Sequence, residues 1–249
     1  MKRIQSLLLA LLVSFSLSWA QSAQVPTTQG NSTQETVSAE KIWADLMAGN
    51  RRFVGGKSKI REFSKLRHSL TSGQHPKVVV LTCSDSRVPP ELLFDKSLGD
   101  LFVVRSAGNV ADGIGLGSIE YAVEHLGSSV LVVLGHEKCG AVTAACSGGK
   151  MPSPNLQAIV DKIEPAVTQA RSYAGNDGLL DAAIRENIHQ SAKDVLAGSE
   201  ILRRAMKEGK LTVVEALYKL DTGEVVRLGK LSLVDPAYKL DIGELVRVD

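Results

Sequence analysis

Residues 78–87, "VVVLTCSDSR", decide how this chain folds. The first half is an unbroken apolar run rich in β-branched residues, the pattern of a central parallel strand covered on both faces. The second half puts a thiol (Cys83), a carboxylate (Asp85) and a guanidinium (Arg87) where that strand runs out. Two more runs share the strand character, "DLFVVRS" at 100–106 and "SSVLVVLGH" at 128–136. Between them lies "GIGLGSIEYAVEHLG" (113–127), where Ile119, Ala122, Val123 and Leu126 form a helical stripe that Gly127 ends. Strand, helix and strand at this spacing make a right-handed crossover unit. The expected fold class is α/β: a mainly parallel central sheet flanked by helices, with an additional C-terminal edge hairpin.

Upstream, "SAEKIWADLMAGNRRF" (38–53) predicts a helix with Ser38 as N-cap, Ile42, Leu46 and Met47 on one face, and a stop at Gly49-Asn50. Downstream, helical patterns run over 154–172 and 178–208 before "KLTVVEALYKLDTGEVVRLG" (210–229) returns to strand alternation around an Asp221-Thr222-Gly223 turn. "YKLDTGEVVR" from Tyr218 is echoed by "YKLDIGELVR" from Tyr238, which reads as a duplicated hairpin at the sheet edge with no chemistry of its own.

The first residues have another purpose. Lys2 and Arg3, an apolar run from Leu7 to Leu17, and Ser18-Trp19-Ala20 match a secretory leader cleaved after Ala20. The run falls short of the roughly 20 residues that a membrane-spanning helix needs. The domain reading is a signal peptide at 1–20, a Gln-, Ser- and Thr-rich linker at 21–37 and one α/β domain at 38–249. An exported protein, periplasmic or secreted, with no membrane association after cleavage is the expectation. The formal charge of +2 falls to zero when the two leader cations are removed. No basic cluster with interleaved aromatics appears, so a nucleic-acid partner is not expected.

Export into an oxidising compartment bears on the cysteines. Cys83, Cys139 and Cys146 are three, so they cannot all pair within one chain. "GHEKCG" places His136 and Cys139 past the third strand, and ligand sites of open α/β sheets form outside the carboxyl ends of strands. Two thiolates and an imidazole suit zinc, and a carboxylate can complete a tetrahedron. His136 and Cys139 are expected to reach one ion from a single helical turn. On an alternating backbone Cys83, Asp85 and Arg87 could share a side, with Arg87 holding Asp85 by a bidentate pair. The carboxylate then either ligates the metal or is drawn away so that water takes its place. A disulfide between Cys83 and Cys139 is the competing reading, but it leaves His136 unexplained. Cys146 reads as a small apolar packing residue, and His68, His75, His125 and His189 as surface or packing residues.

These motifs, "CSDSR" (83–87) and "GHEKCGAV" (135–142), with "GQHPK" (73–77), "FVVRSAGN" (102–109) and "SIEYAVEHLG" (118–127) in order, resemble the β-class carbonic anhydrases over about Ala39 to Tyr218. The resemblance implies one Zn2+ per subunit held by Cys83, His136 and Cys139, with Asp85 as a fourth ligand or, in the active form, paired with Arg87. It implies reversible hydration of carbon dioxide to bicarbonate by a zinc-bound hydroxide that the Asp85–Arg87 dyad orients. Gln74 would donate to substrate oxygen, and Phe102, Ala107, Tyr121 and Gly140 would line a small pocket. Valine is common in the family where Ala107 stands. Part of the pocket would come from a neighbouring subunit, implying a homodimer or homotetramer.

Overall fold

The apolar runs form the centre of one six-stranded sheet. The computed structural model of the protein describes residues 38–233 and 245–248, with side chains through Gly229; residues 1–37, read above as leader and linker, lie outside these. Strands β1 (Val78–Cys83), β2 (Leu101–Ser106), β3 (Val130–His136), β4 (Thr212–Tyr218), β5 (Val225–Leu233) and β6 (Leu245–Val248) lie in the order β2-β1-β3-β4-β5-β6. β2, β1, β3 and β4 are parallel, and β5 and β6 add antiparallel at one edge. Every residue of β1 and β3 is buried, as two-sided cover requires.

Alternation along the strands feeds two cores. Val79, Leu81, Leu131, Val133 and Val213 pack beneath α4 (Gly113–Glu124), α5 (Gly140–Ser147), α6 (Pro154–Arg171), α7 (Leu179–Gly198) and α8 (Glu200–Lys207). Val78, Val80, Val130, Val132 and Val214 face Ile42, Trp43 and Leu46 of α1 (Ala39–Val54) and Leu93 of the short α3 (Pro90–Leu93). Burying each such side chain contributes about 1.5–3 kcal/mol, and the strands at the centre are held from both sides. The connection from α1 to β1 carries α2 (Phe63–Ser69), which has no buried residue.

Ser38 caps α1 as expected, its hydroxyl accepting from the Lys41 amide at 3.3 Å. The helix does not stop at Gly49-Asn50. It runs on to Val54 because both residues serve tertiary packing: a Cβ on Gly49 would lie 1.7 Å from the Phe94 carbonyl oxygen, so only glycine lets helix and loop approach. Asn50 is buried and donates to the Leu93 and Gly223 carbonyls (3.0 and 2.8 Å) while accepting from the Val225 amide (3.0 Å).

The pattern over 178–208 is two helices. Ser199 breaks it with extended backbone, caps α8 by accepting from the Leu202 amide at 3.2 Å, and donates to Glu120 of α4 at 2.5 Å. The first copy of the repeated decapeptide is the β4–β5 hairpin, where the Lys219 amide donates to Glu224 at 2.8 Å and that of Gly223 to Lys219 at 3.0 Å. It is fastened to α1 by Arg227, which grips Glu40 at 3.0 and 3.2 Å and lies over the Trp43 ring. Of the second copy, β6 is described and pairs with β5; its turn lies outside the described residues. Among the described residues no helix is long and apolar enough to cross a membrane.

Candidate metal centre

Parallel register brings the first and third strand ends side by side. Thr82 is level with Leu134, so Cys83 and His136 close their strands at the same rim of the sheet. Chain direction then turns sharply. Lys138 adopts a left-handed backbone (φ 52°), which swings Cys139 back to the N-cap position of α5. His136 therefore belongs to a strand and Cys139 to a helix start; they meet across this corner rather than on one helical turn, as their spacing alone suggested. The ligand atoms of Cys83, His136 and Cys139, all three residues buried, lie within 4.8 Å of one another.

The histidine is preset. Its Nδ1 lies 2.8 Å from the Glu137 carbonyl, so that nitrogen carries the proton and Nε2 presents its lone pair. Nε2 is buried and makes no hydrogen bond. A buried polar nitrogen without a partner is costly, and an electrophile between it and two sulfurs would remove that cost. The sulfurs are themselves coupled. The Cys139 thiol beside it pulls Cys83 below the ordinary thiol range against the opposing effect of burial, whereas the same contact and burial push Cys139 up. A divalent cation held between the two sulfurs would favour both as thiolates.

Asp85 stands just outside this trio. β1 ends at Cys83, and the next residues form a tight turn rather than continuing the alternation. The expected bidentate pair forms within that turn: Arg87 Nε donates to Oδ1 at 2.9 Å and an Arg87 terminal nitrogen to Oδ2 at 2.7 Å. The Arg87 backbone amide adds a third bond to Oδ1 at 2.9 Å. This grip holds the Asp85 carboxyl well below the usual carboxylate range, with burial opposing it. Asp85 Oδ2 is 3.8 Å from His136 Nε2, close enough to meet a molecule bound at the centre.

Two contributors were not singled out from the sequence. Arg105 of β2 reaches over the turn and donates to the Cys83 and Asp85 carbonyls at 3.0 and 2.6 Å, fixing the backbone that carries both side chains. Its signal was a lone charge in an otherwise apolar strand. The Gly108 amide donates to Cys83 Sγ at 3.3 Å from a 3-10 turn, residues 107–109, that follows β2.

The expected pocket residues divide into two groups. Ala107 precedes Gly108 in that turn, and Gly140 follows Cys139 at the exposed start of α5, so both border the centre. Phe102 is level with Val79, four positions back from Cys83 along the parallel register and therefore about 13 Å away along the strand. Its ring is 6.3 Å from that of Tyr121, which is half exposed on α4. Gln74 is exposed ahead of β1, at the opposite end of the strand. A single chain thus does not bring Gln74, Phe102 and Tyr121 to its own sulfurs. Of the remaining candidates, Cys146 is partly buried and raised by burial, and His189 pairs with buried Glu215 at 2.7 Å.

Comparison with known proteins bears on the same residues. A family model described as carbonic anhydrase matches residues 78–225, from the first residue of β1 to the first of β5. The carbonic anhydrase 2 of Mycobacterium tuberculosis is 40% identical over 190 residues, covering 74% of this chain and 90% of that protein. Among solved structures, a β-carbonic anhydrase of Coccomyxa in complex with acetazolamide is 27% identical with a TM-score of 0.63, covering 85% of this chain and 90% of the other. A tetrameric β-carbonic anhydrase of Sordaria macrospora shares the fold with a TM-score of 0.60 at 24% identity, over 76% of this chain and 97% of that one.

Proposed function

Because this chain belongs to the β-class carbonic anhydrases, a family of zinc enzymes that hydrate carbon dioxide, we propose that Cys83, His136 and Cys139 hold its zinc and that Asp85 and Arg87 direct the attack on carbon dioxide. The single observation that carries the assignment of residues is the buried, unpartnered His136 Nε2 beside two buried sulfurs. When bound, the metal supplies a Lewis acid that lowers the pKa of water from about 15.7 to about 7.

The chain's own groups do the rest. Cys83 and Cys139 supply the soft anionic ligands, and Glu137 holds the imidazole by its backbone carbonyl so that the ring does not turn. Asp85, kept ionised and pulled aside by Arg87, would leave room for water beside the metal that Cys83, His136 and Cys139 would hold. Its carboxylate would accept the hydrogen of that water and orient the water oxygen toward the substrate carbon, a gain from orientation. Arg105 keeps Cys83 and Asp85 in fixed relation during this step.

The pocket is completed by a second subunit in this reading. Gln74 and the Phe102–Tyr121 pair, remote from the sulfurs of their own chain, would face the centre of a neighbour in a homodimer or homotetramer. The tetrameric Sordaria relative supports it, as does the half-exposed Tyr121. Export to the periplasm or beyond is the reading of residues 1–20, supported by their basic start, apolar run and small-residue cleavage site.

The test is metal analysis joined to a proton-release assay on purified protein. Zinc at one per chain with hydration activity at alkaline pH is expected. Zinc-loaded protein without that activity would overturn the mechanism.

A further inference from the structure

The turn that donates to Cys83 is held from outside the centre by two side chains of α7. Gly108 and Asn109 both adopt left-handed backbone, with φ of 72° and 50°. Glycine and asparagine are the residues that enter this region most readily, but nothing in their type fixes where the turn aims its groups. External bonds fix it. Asn187 Nδ2 donates to the Gly108 carbonyl at 2.8 Å, and Asn109 Nδ2 donates to Ser191 Oγ at 3.3 Å. Asn187 and Ser191 are four apart, one above the other on the face of α7 turned into the molecule, and both are buried. Asn187 Oδ1 has no hydrogen-bond partner. An amide that leaves its oxygen unpaired in a buried position is poorly explained as packing, because an apolar residue of similar volume would avoid that cost.

We propose, resting on the metal site above, that Asn187 is a positioning residue: it holds the Gly108 carbonyl so that the Gly108 amide stays aimed at the Cys83 sulfur, and thereby sets how much charge that sulfur gives the metal. An N–H group bonded to a thiolate draws electron density from it, and such outer partners typically alter metal affinity or activity by about 10–100-fold. With the amide in place Cys83 is a weaker donor, and the metal keeps more of its power to polarise water. Asn187 does not touch the metal ligands itself. Its effect passes through the φ and ψ of Gly108, which only glycine adopts there readily.

The full-length protein loaded with cobalt(II) tests this through the sulfur-to-cobalt charge-transfer band. Asn187→Leu removes the donor at similar volume. The expected result is a shift of that band to longer wavelength, as Cys83 becomes more electron-rich, with hydration turnover down about tenfold. A lower melting temperature with the band unmoved would mean that Asn187 only packs, and would overturn the inference. A measurement on the unaltered chain does not depend on the variant folding. In the cadmium-113 form, NMR correlations from the metal to the Cys83 and Cys139 β-protons are expected, with a further one to the Gly108 amide proton across the sulfur. β-proton correlations without the Gly108 one would overturn the inference alone. Absence of the β-proton correlations would overturn the metal site as well.

Discussion

Arg87 grips Asp85 through three bonds, two from its guanidinium and one from its own backbone amide, so the carboxylate is locked to a residue only two positions away. That leaves Asp85 beside the Cys83, His136 and Cys139 group, its Oδ2 3.8 Å from His136 Nε2. Under the proposed mechanism, Asp85→Asn removes the charge that Arg87 holds and the acceptor that would orient water. Zinc content should be unchanged while turnover falls by about 10²-fold. Stopped-flow hydration with metal analysis checks both; full turnover in the variant would remove Asp85 from the mechanism.

The pH profile follows from the same pair. Arg87 depresses Asp85, so the carboxylate is charged across the neutral range and its own titration does not shape activity there. Activity should rise from mildly acidic to alkaline pH with a midpoint near about 7, where water on zinc loses its proton. Arg87→Ala releases Asp85 toward the metal, where it competes with water, and the midpoint should move upward. A flat profile in the native protein would contradict the titrating water, and an unmoved midpoint in the variant would contradict the competition.

Asp95 provides a stability test away from the site. Burial disfavours its charge, but Arg52, Arg61 at 2.7 Å and the Lys59 amide at 3.1 Å bring its pKa down to about 2. An unfolded aspartate titrates near about 3.9. The folded state therefore gains stability that is fully present above that value and is lost as pH falls toward about 2. Asp95→Asn, which suits the left-handed backbone there (φ 46°), should melt lower at neutral pH, with the gap to native protein closing across that acid window. Thermal denaturation at several pH values measures it.

Gly49→Ala and Asn50→Ala test the seam between α1 and the hairpin. Helix propensity alone predicts that alanine at 49 stabilises by about 1 kcal/mol. The 1.7 Å approach to the Phe94 carbonyl reverses the sign, and the variant should unfold at lower denaturant than native protein. Asn50→Ala leaves two carbonyls and the Val225 amide without their side-chain partner and should cost about 3 kcal/mol. Urea titration of the purified variants decides both.

The parallel centre of the sheet was legible because β1 and β3 are buried on both faces, which leaves an unmistakable apolar run in the sequence. So were Cys83, His136 and Cys139, since their chemical types agree and parallel strands end at one rim. Tertiary demands hid the rest. Gly49 and Asn50 look like a helix stop because local propensity says nothing of a carbonyl pressed against the helix or an amide bridging a hairpin. Ser199 looks like helix interior until Glu120 is seen across from it. Arg105, Gly108 and Asn187 act through backbone groups, and a backbone contact leaves almost no trace in residue type. The neighbour of His189, Glu215, comes from a strand 26 positions on, a pairing that only the packing of α7 on β4 creates.

X-ray absorption at the zinc edge of the purified, unaltered protein tests the central claim most directly. One zinc per chain, with two sulfurs at about 2.3 Å, one imidazole nitrogen at about 2.0–2.1 Å and one further light atom, is the predicted result. Protein free of zinc, with Cys83 and Cys139 joined as a disulfide, would contradict it.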